Sequence, residues 1–325
     1  MSRDHELVTL GTGTGQSVLI AGLVKRGLRP RAITGVTDNG GSSALVRRSL
    51  DLPQPGDTRS CLTAMAPPGP LRDLFSHRFD QGEIDGMSLG NLMLAALTRQ
   101  LGGFDAAVAR ACELLETRGE ILPVSDASTQ IGARLSDGRL VTGEWEIIRR
   151  EPRIPISDMF LEDREAPATP RALAALREAR LVVLGPGTLR TGIVACLLFA
   201  GVREAIAASK ARFVHVCNVM TQPGQTDGLS ARSHVEVVEG ALGRSLDHVL
   251  ISSSRIPGPL LDHYRSMDAA PVEDDLDDAR VIRAPLLQST SLRIVESHRR
   301  PDNVFLLRHD PDRLAEQVHR LLERK

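Results

Sequence analysis

The sequence predicts an α/β protein: a Rossmann-like, mostly parallel sheet with helices on both faces and a small inserted β-hairpin lobe. Three observations predict it. Short apolar runs such as Leu7-Val8-Thr9-Leu10 and Leu181-Val182-Val183-Leu184 have the composition of strands buried on both faces. Each is followed at once by a glycine-rich turn and then by a helical pattern, the sign of repeated βα units. From Ile121 the period changes from helical to strand-like, and a proline-marked stretch runs on to Pro170. On this reading all 325 residues form one α/β domain, with the inserted hairpin lobe at about 121–170.

The elements follow in order. The first βαβ unit covers residues 7–37, with its helix starting near Gln16 and stopping near Gly27, a C′ glycine. Residues 44–50 offer one or two helical turns before Pro53 and Pro55. Asp57 or Thr58 can cap a helix that runs to Met65. Shorter helices are predicted at 71–79 and 104–116, and a mostly apolar one from Ser88 to Gly102. Residues 130–135 and 140–148, around Ser136-Asp137-Gly138, read as a β-hairpin. Helices at 171–179, 189–199 and 201–209 flank the strands at 181–184 and 213–217. An amphipathic helix at 231–242, a strand at 248–251 and a short helix at 260–267 come next. A strand pair is expected near Val281 and Val304. The last helix is capped by Asp310, with Pro311 at N1 and Asp312 in its first turn.

Composition removes several functional classes. The formal net charge is −1, so no global field favours nucleic acid or anionic membrane. Aromatic residues make up 3%, too few for base-stacking surfaces on single strands. No apolar run approaches the roughly 18–20 residues that span a bilayer, and the polar start is not a signal peptide, so a cytoplasmic protein is expected. Cys61, Cys112, Cys196 and Cys217 form no C-x-x-C pair and read as buried thiols. The nine histidines make no metal signature, and His234 reads as a surface or capping residue.

Four loops carry the chemistry. Gly11, Thr12, Gly13, Thr14 and Gly15 lie between a strand and a helix, where backbone amides and the helix dipole favour a phosphate. The spacing is neither a Walker loop nor G-x-G-x-x-G. After the second strand come Asp38, Asn39 and Ser42; the acid can meet a ribose hydroxyl, hold a cation or cap a turn. Gly185, Gly187 and Thr188 repeat the phosphate-cradle logic, and Asn218, Thr221, Gln222 and Asp227 follow the next strand. In a parallel sheet all four loops face one crevice beyond the strand ends. Asp57 and Arg59 either pair with each other or meet ligand or metal and phosphate. Asn91 is either an amide handle for the crevice or a structural partner of nearby backbone.

On these residues the chain resembles the gluconeogenesis-factor (YvcK-like) family, grouped with the 2-phospho-lactate transferases in the CofD-like superfamily. The matching segments are residues 11–15, 38–43, 55–59, 90–92, 185–188 and 218–228. The run Cys217-Asn218-Val219-Met220-Thr221-Gln222-Pro223-Gly224 is the most specific. The resemblance implies a CofD-like fold and a nucleotide or nucleotide-sugar partner, UDP-N-acetylglucosamine in the YvcK-like branch. It also implies a role linking carbon metabolism to cell-wall growth and cell shape, with Tyr264 and Arg308 as ligand contacts. The transferase branch implies Mg²⁺ and transfer of a phosphorylated acid from a nucleoside diphosphate carrier, with Asp38 and Asp57 catalytic and Asp38 on the metal. Two departures weigh on catalysis more than on binding. Asp38-Asn39 stands where the transferases carry two adjacent acids, and Gly-Thr-Gly-Thr-Gly replaces their Gly-Gly-Thr-Gly. No cofactor other than Mg²⁺ is implied, and a homodimer is left open.

Overall fold

One residue, Thr12, separates β1 (Leu7–Gly11) from α1 (Gly13–Lys25). The helix closes on Gly27, at φ +80°, whose N–H donates to Val24 O at 2.9 Å, so the predicted C′ glycine ends it. The computed structural model describes residues 6–40, 52–288 and 307–324. Ser42, the turns expected at 44–50 and the strand expected near Val304 lie outside the described residues.

The chain continues through β2 (Arg31–Thr34), α2 (Gly56–Met65), α3 (Pro70–Ser76), α4 (Leu89–Leu101), α5 (Phe104–Leu114) and β3 (Glu120–Pro123). A second group follows: β4 (Ile131–Leu135), β5 (Leu140–Thr142), α6 (Glu144–Arg149) and β6 (Ile156–Leu161). The main fold resumes with α7 (Pro170–Glu178), β7 (Leu181–Leu184), a π-helical segment (Leu189–Val194), α8 (Val202–Ala208) and β8 (Arg212–Val216). It ends with α9 (Ala231–Leu242), β9 (His248–Ser252), α10 (Gly258–Ser266), β10 (Val281–Ala284) and α11 (Pro311–Glu323).

Seven strands form a parallel sheet in the order β10-β9-β8-β7-β1-β2-β3. The order reverses between β1 and β7, which makes that pair the topological switch point, where open α/β sheets bind ligands. Both faces are covered. Along β7, Leu181 and Val183 join the core under α1 and α11, while Val182 and Leu184 join the larger core on the other face. The unbroken apolar run therefore reflects burial on two sides, as the sequence suggested. Among the described residues no helix is long and apolar enough to cross a membrane.

The inserted sheet is antiparallel and three-stranded, β5-β4-β6: the expected hairpin is its β4-β5 pair, and β6 adds a third strand. Residue 121 belongs to β3 of the main sheet, and the run 140–148 is a three-residue strand followed by a helix. Gly143, at φ +103°, turns the chain there, and the Trp145 N–H at the new helix start donates to Asn39 Oδ1 at 2.8 Å. A residue a hundred positions away thus acts as the cap, which local alternation does not reveal. Pro55, not Asp57 or Thr58, is at the N-cap of α2. The helix predicted at 189–199 begins as a π-helix, a departure common at functional sites. Asp310 caps α11 as expected, accepting from the N–H groups of Asp312 and Arg313, both at 3.0 Å.

α1 packs tightly on α11 at Gly22, where an added Cβ would meet Pro311 O at 2.0 Å. Helix propensity alone favours Ala over Gly by about 1 kcal/mol. Contact with rigid backbone outweighs it, so Gly22→Ala is expected to destabilise the fold by about 1–3 kcal/mol, seen as a lower urea midpoint.

Candidate functional site

The turns after β1 and β7 interlock. A Cβ on Gly15 would lie 2.5 Å from Pro186 O, and one on Gly187 would lie 2.9 Å from Thr12 O. Only glycine allows the two backbones to come this close. Thr12 Oγ1 lies 3.3 Å from Thr188 Oγ1, so the hydroxyl of the α1 N-cap residue is turned to the partner loop and not to its own helix. Thr12 itself caps none of the first N–H groups of α1, and the Gly13 N–H turns to the Asp57 carboxyl.

Above this junction a cleft of ≈ 370 Å³ opens. Its floor is formed by Thr12, Gly13, Thr14, Gly15, Gly187 and Thr188. Asp38, Asp57 and Arg59 line one side; Asn218, Gln222, Tyr264 and Arg308 line the other. Four expected residues do not line it. Gly11 and Gly185 are strand-end backbone, with Gly185 N–H donating to Leu10 O at 2.9 Å. Asn39 is turned to the inserted lobe, where Nδ2 donates to Glu146 Oε2 at 2.8 Å in addition to the α6 cap. Asn91 is buried and accepts from Arg59 Nε at 3.1 Å, so it aims the arginine and does not reach the cleft itself.

Of the two alternatives for Asp57 and Arg59, the ion pair does not form, and the guanidinium is held by Asn91 and by Ser60 Oγ at 3.2 Å. Asp57 lies in the first turn of α2, half-buried at the edge of the cleft. Burial, reinforced by the Asp38 carboxylate, raises its pKa to about 7, against the pull of the Gly13 N–H and the Arg59 charge. Asp38 accepts from Gly40 N–H at 2.7 Å and from Gln54 Nε2 at 2.9 Å.

Glu144, which the sequence did not single out, comes from the inserted lobe to this acidic end. Burial and repulsion from Asp38 raise its pKa well above the usual range, although Thr191 donates a hydrogen bond to it. Gln54, Arg78 and His309 also line the cleft unforeseen, while Met220 there comes from the run at 217–224. No local motif marks them; only the glycine turns and the specific run at 217–224 carried a signal. His234 corrects the surface reading: it is fully buried in α9, with Nδ1 2.8 Å from Ser230 O. His215 beside it on β8 is also buried, and desolvation lowers its pKa to about 3.

Among the described residues no group of three or more His, Cys, Asp or Glu side chains is arranged to hold a metal ion. Asp38 and Asp57 still face the cleft as two hard oxygen donors. That number fits Mg²⁺, which commonly takes one or two carboxylates and completes its shell with water and phosphate oxygens.

The model for the CofD family, described as 2-phospho-L-lactate transferase CofD, matches residues 7–291. The chain is similar to the gluconeogenesis factor of Bacillus subtilis strain 168, 36% identical, over 99% of this chain and 100% of that protein. It is 35% identical to the gluconeogenesis factor of Halalkalibacterium halodurans, over 97% of this chain and 96% of the relative. A crystal structure of a UPF0052 family member from Bacillus halodurans superposes with a TM-score of 0.89 at 33% identity, covering 98% of this chain and 100% of that one.

Asp57 supplies a test of the electrostatics. Its carboxyl ionises near 3.8 when unfolded and at about 7 in the fold, so the fold binds the proton more tightly. Stability from this group is full below pH 3.8 and is lost as pH rises through about 7. Asp57→Asn, which cannot ionise, is expected to exceed the wild type in stability at pH 8 by up to about 4 kcal/mol. Denaturant unfolding at pH 8 and pH 4 should show the gain at the first and little at the second.

Proposed function

The chain belongs to the CofD family, among its gluconeogenesis factors, and from that footing we propose that the cleft binds a nucleoside-diphosphate sugar, UDP-N-acetylglucosamine, in a regulatory protein. On this reading the bound sugar nucleotide reports on carbon metabolism and adjusts cell-wall growth and cell shape.

The observation that carries the reading is the polarity of the cleft. At the switch point, two glycine turns and the uncapped start of α1 form a floor suited to phosphates. Across from it, Tyr264 packs with Met220, Leu260 and Ala269 in a separate apolar cluster, and its hydroxyl accepts from Leu307 N–H at 3.0 Å. A held aromatic ring in an apolar shelf suits the face of a base or sugar. Arg308, exposed at the same rim, suits a diphosphate oxygen.

A second reading draws on Asp57. A carboxyl that titrates at about 7 and faces the cleft can take a proton from an acceptor hydroxyl. That suits transfer of a phosphorylated acid from a nucleoside diphosphate carrier, as in the 2-phospho-lactate transferases. Mg²⁺ on Asp38 would then offset the charge of the diphosphate, and Arg59, aimed by Asn91, would bind the phosphates.

Thermal unfolding with UDP-N-acetylglucosamine, GDP and GTP, each with and without Mg²⁺, separates the two. A ligand at 100 times its Kd stabilises by about 2.7 kcal/mol. The regulatory reading expects that response to the UDP-sugar, weakened about tenfold in affinity by each of Tyr264→Ala and Arg308→Ala (~1.4 kcal/mol). A Mg²⁺-dependent response to guanosine nucleotides alone would sink it and favour transfer.

A further inference from the structure

The two walls of the cleft differ in hydrogen-bonding character. On the turn side the backbone offers N–H donors at the start of α1. On the side beyond β8 the side chains offer oxygens. Asn218 Nδ2 donates to Gly187 O at 2.9 Å. That bond sets the direction of the amide, because the opposite orientation would bring two carbonyl oxygens together. Asn218 Oδ1 is thereby fixed as an acceptor, and it has no partner among the described residues although it is withdrawn from bulk water. Gln222 Oε1 is in the same condition, and both side chains line the cleft. Gln222 is tethered through its backbone, N–H to Thr226 Oγ1 at 2.8 Å, and the last torsion of its side chain is broad and soft. It can turn its amide into the cleft, whereas Asn218 cannot reverse without losing its bond to Gly187.

A buried acceptor without a donor is unfavourable, so the ligand group that reaches it must donate. A phosphate at neutral pH presents acceptors and would be repelled there. Asn218 abuts the Gly187 turn, which takes a phosphate on the reading above, so the group next along the ligand is a sugar, whose hydroxyls donate. We propose that Asn218 is a specificity residue that selects a sugar hydroxyl adjoining the diphosphate, accepting its hydrogen bond at Oδ1, with Gln222 as the adjustable second acceptor. This rests on the nucleotide-sugar reading and adds to it which chemical feature the far wall reads.

The test uses the ligand as well as the protein. Titration calorimetry compares UDP-N-acetylglucosamine with its 2′-deoxy and 3′-deoxy ribose forms and its 3-deoxy and 4-deoxy hexose forms. The wild type is expected to lose about tenfold or more in affinity for at least one deoxy form, and which form it is tells ribose from hexose. Asn218→Leu, similar in size but without an acceptor, is expected to bind the parent compound as weakly as the wild type binds that deoxy form. It should no longer distinguish the two. Equal binding of all deoxy forms by the wild type overturns the inference and leaves the nucleotide-sugar reading standing. Discrimination retained in Asn218→Leu overturns it in the same way. Failure of the wild type to bind the parent compound removes both. The wild-type arm needs no variant, so it holds even if Asn218→Leu fails to fold.

Discussion

Everything at this site depends on how closely two backbones approach at the centre of the sheet. Gly15 lies against Pro186, and Gly187 against Thr12, at distances a Cβ on either glycine would not allow. The contact joins the C-terminal ends of β1 and β7, the one place in the sheet where the strand order reverses. Because the chain leaves β1 for one side and β7 for the other, the loops there diverge and leave a crevice. The interlock holds that crevice at a defined width. It also frees Thr12 from capping α1, so its hydroxyl meets Thr188 and caps none of the N–H groups at the helix start.

From that junction the two sides of the cleft take opposite electrostatic characters. One side gathers carboxyl groups, Asp38 and Asp57, with Glu144 brought against Asp38 by the inserted lobe. Desolvation and repulsion from Asp38 raise the proton affinity of Asp57 and Glu144, which lowers the negative charge of that side near neutral pH. The lobe is tied to both rims. Asn39 caps its helix from the second loop, and the Arg150 guanidinium reaches Ile154 O at 2.6 Å and also Gly224 O in the loop after β8. An insertion in the chain is therefore part of the frame around the cleft.

The polar cluster in the loop after β8 has a similar logic. Thr191 Oγ1 lies 3.2 Å from Thr188 Oγ1 and 3.0 Å from Gln225 Oε1, linking the π-helical segment to that loop. Gly192 makes this possible, since a Cβ there would come within 2.2 Å of Thr12 Oγ1. The π-helical turn, the threonines and the glutamine form one hydroxyl and amide network under the floor of the cleft, which fixes its shape through partners far apart in sequence.

What the sequence alone determined was local: which runs are strands, where the glycine turns fall, that Gly27 ends α1 and that Asp310 begins α11. Those features follow from burial on two faces, from positive φ and from side-chain caps within three residues, all set by near neighbours. The convergence of four loops was also legible, because parallel strands place every following loop at the same edge. Tertiary structure alone decided the rest. It turned Asn39 away to cap a helix about a hundred residues on, and set Asn91 behind Arg59. It also brought Glu144 to Asp38 and buried His234 in the core. Each of those outcomes depends on a partner distant in sequence, and side-chain direction and proton affinity are properties of such partners, which no local pattern encodes.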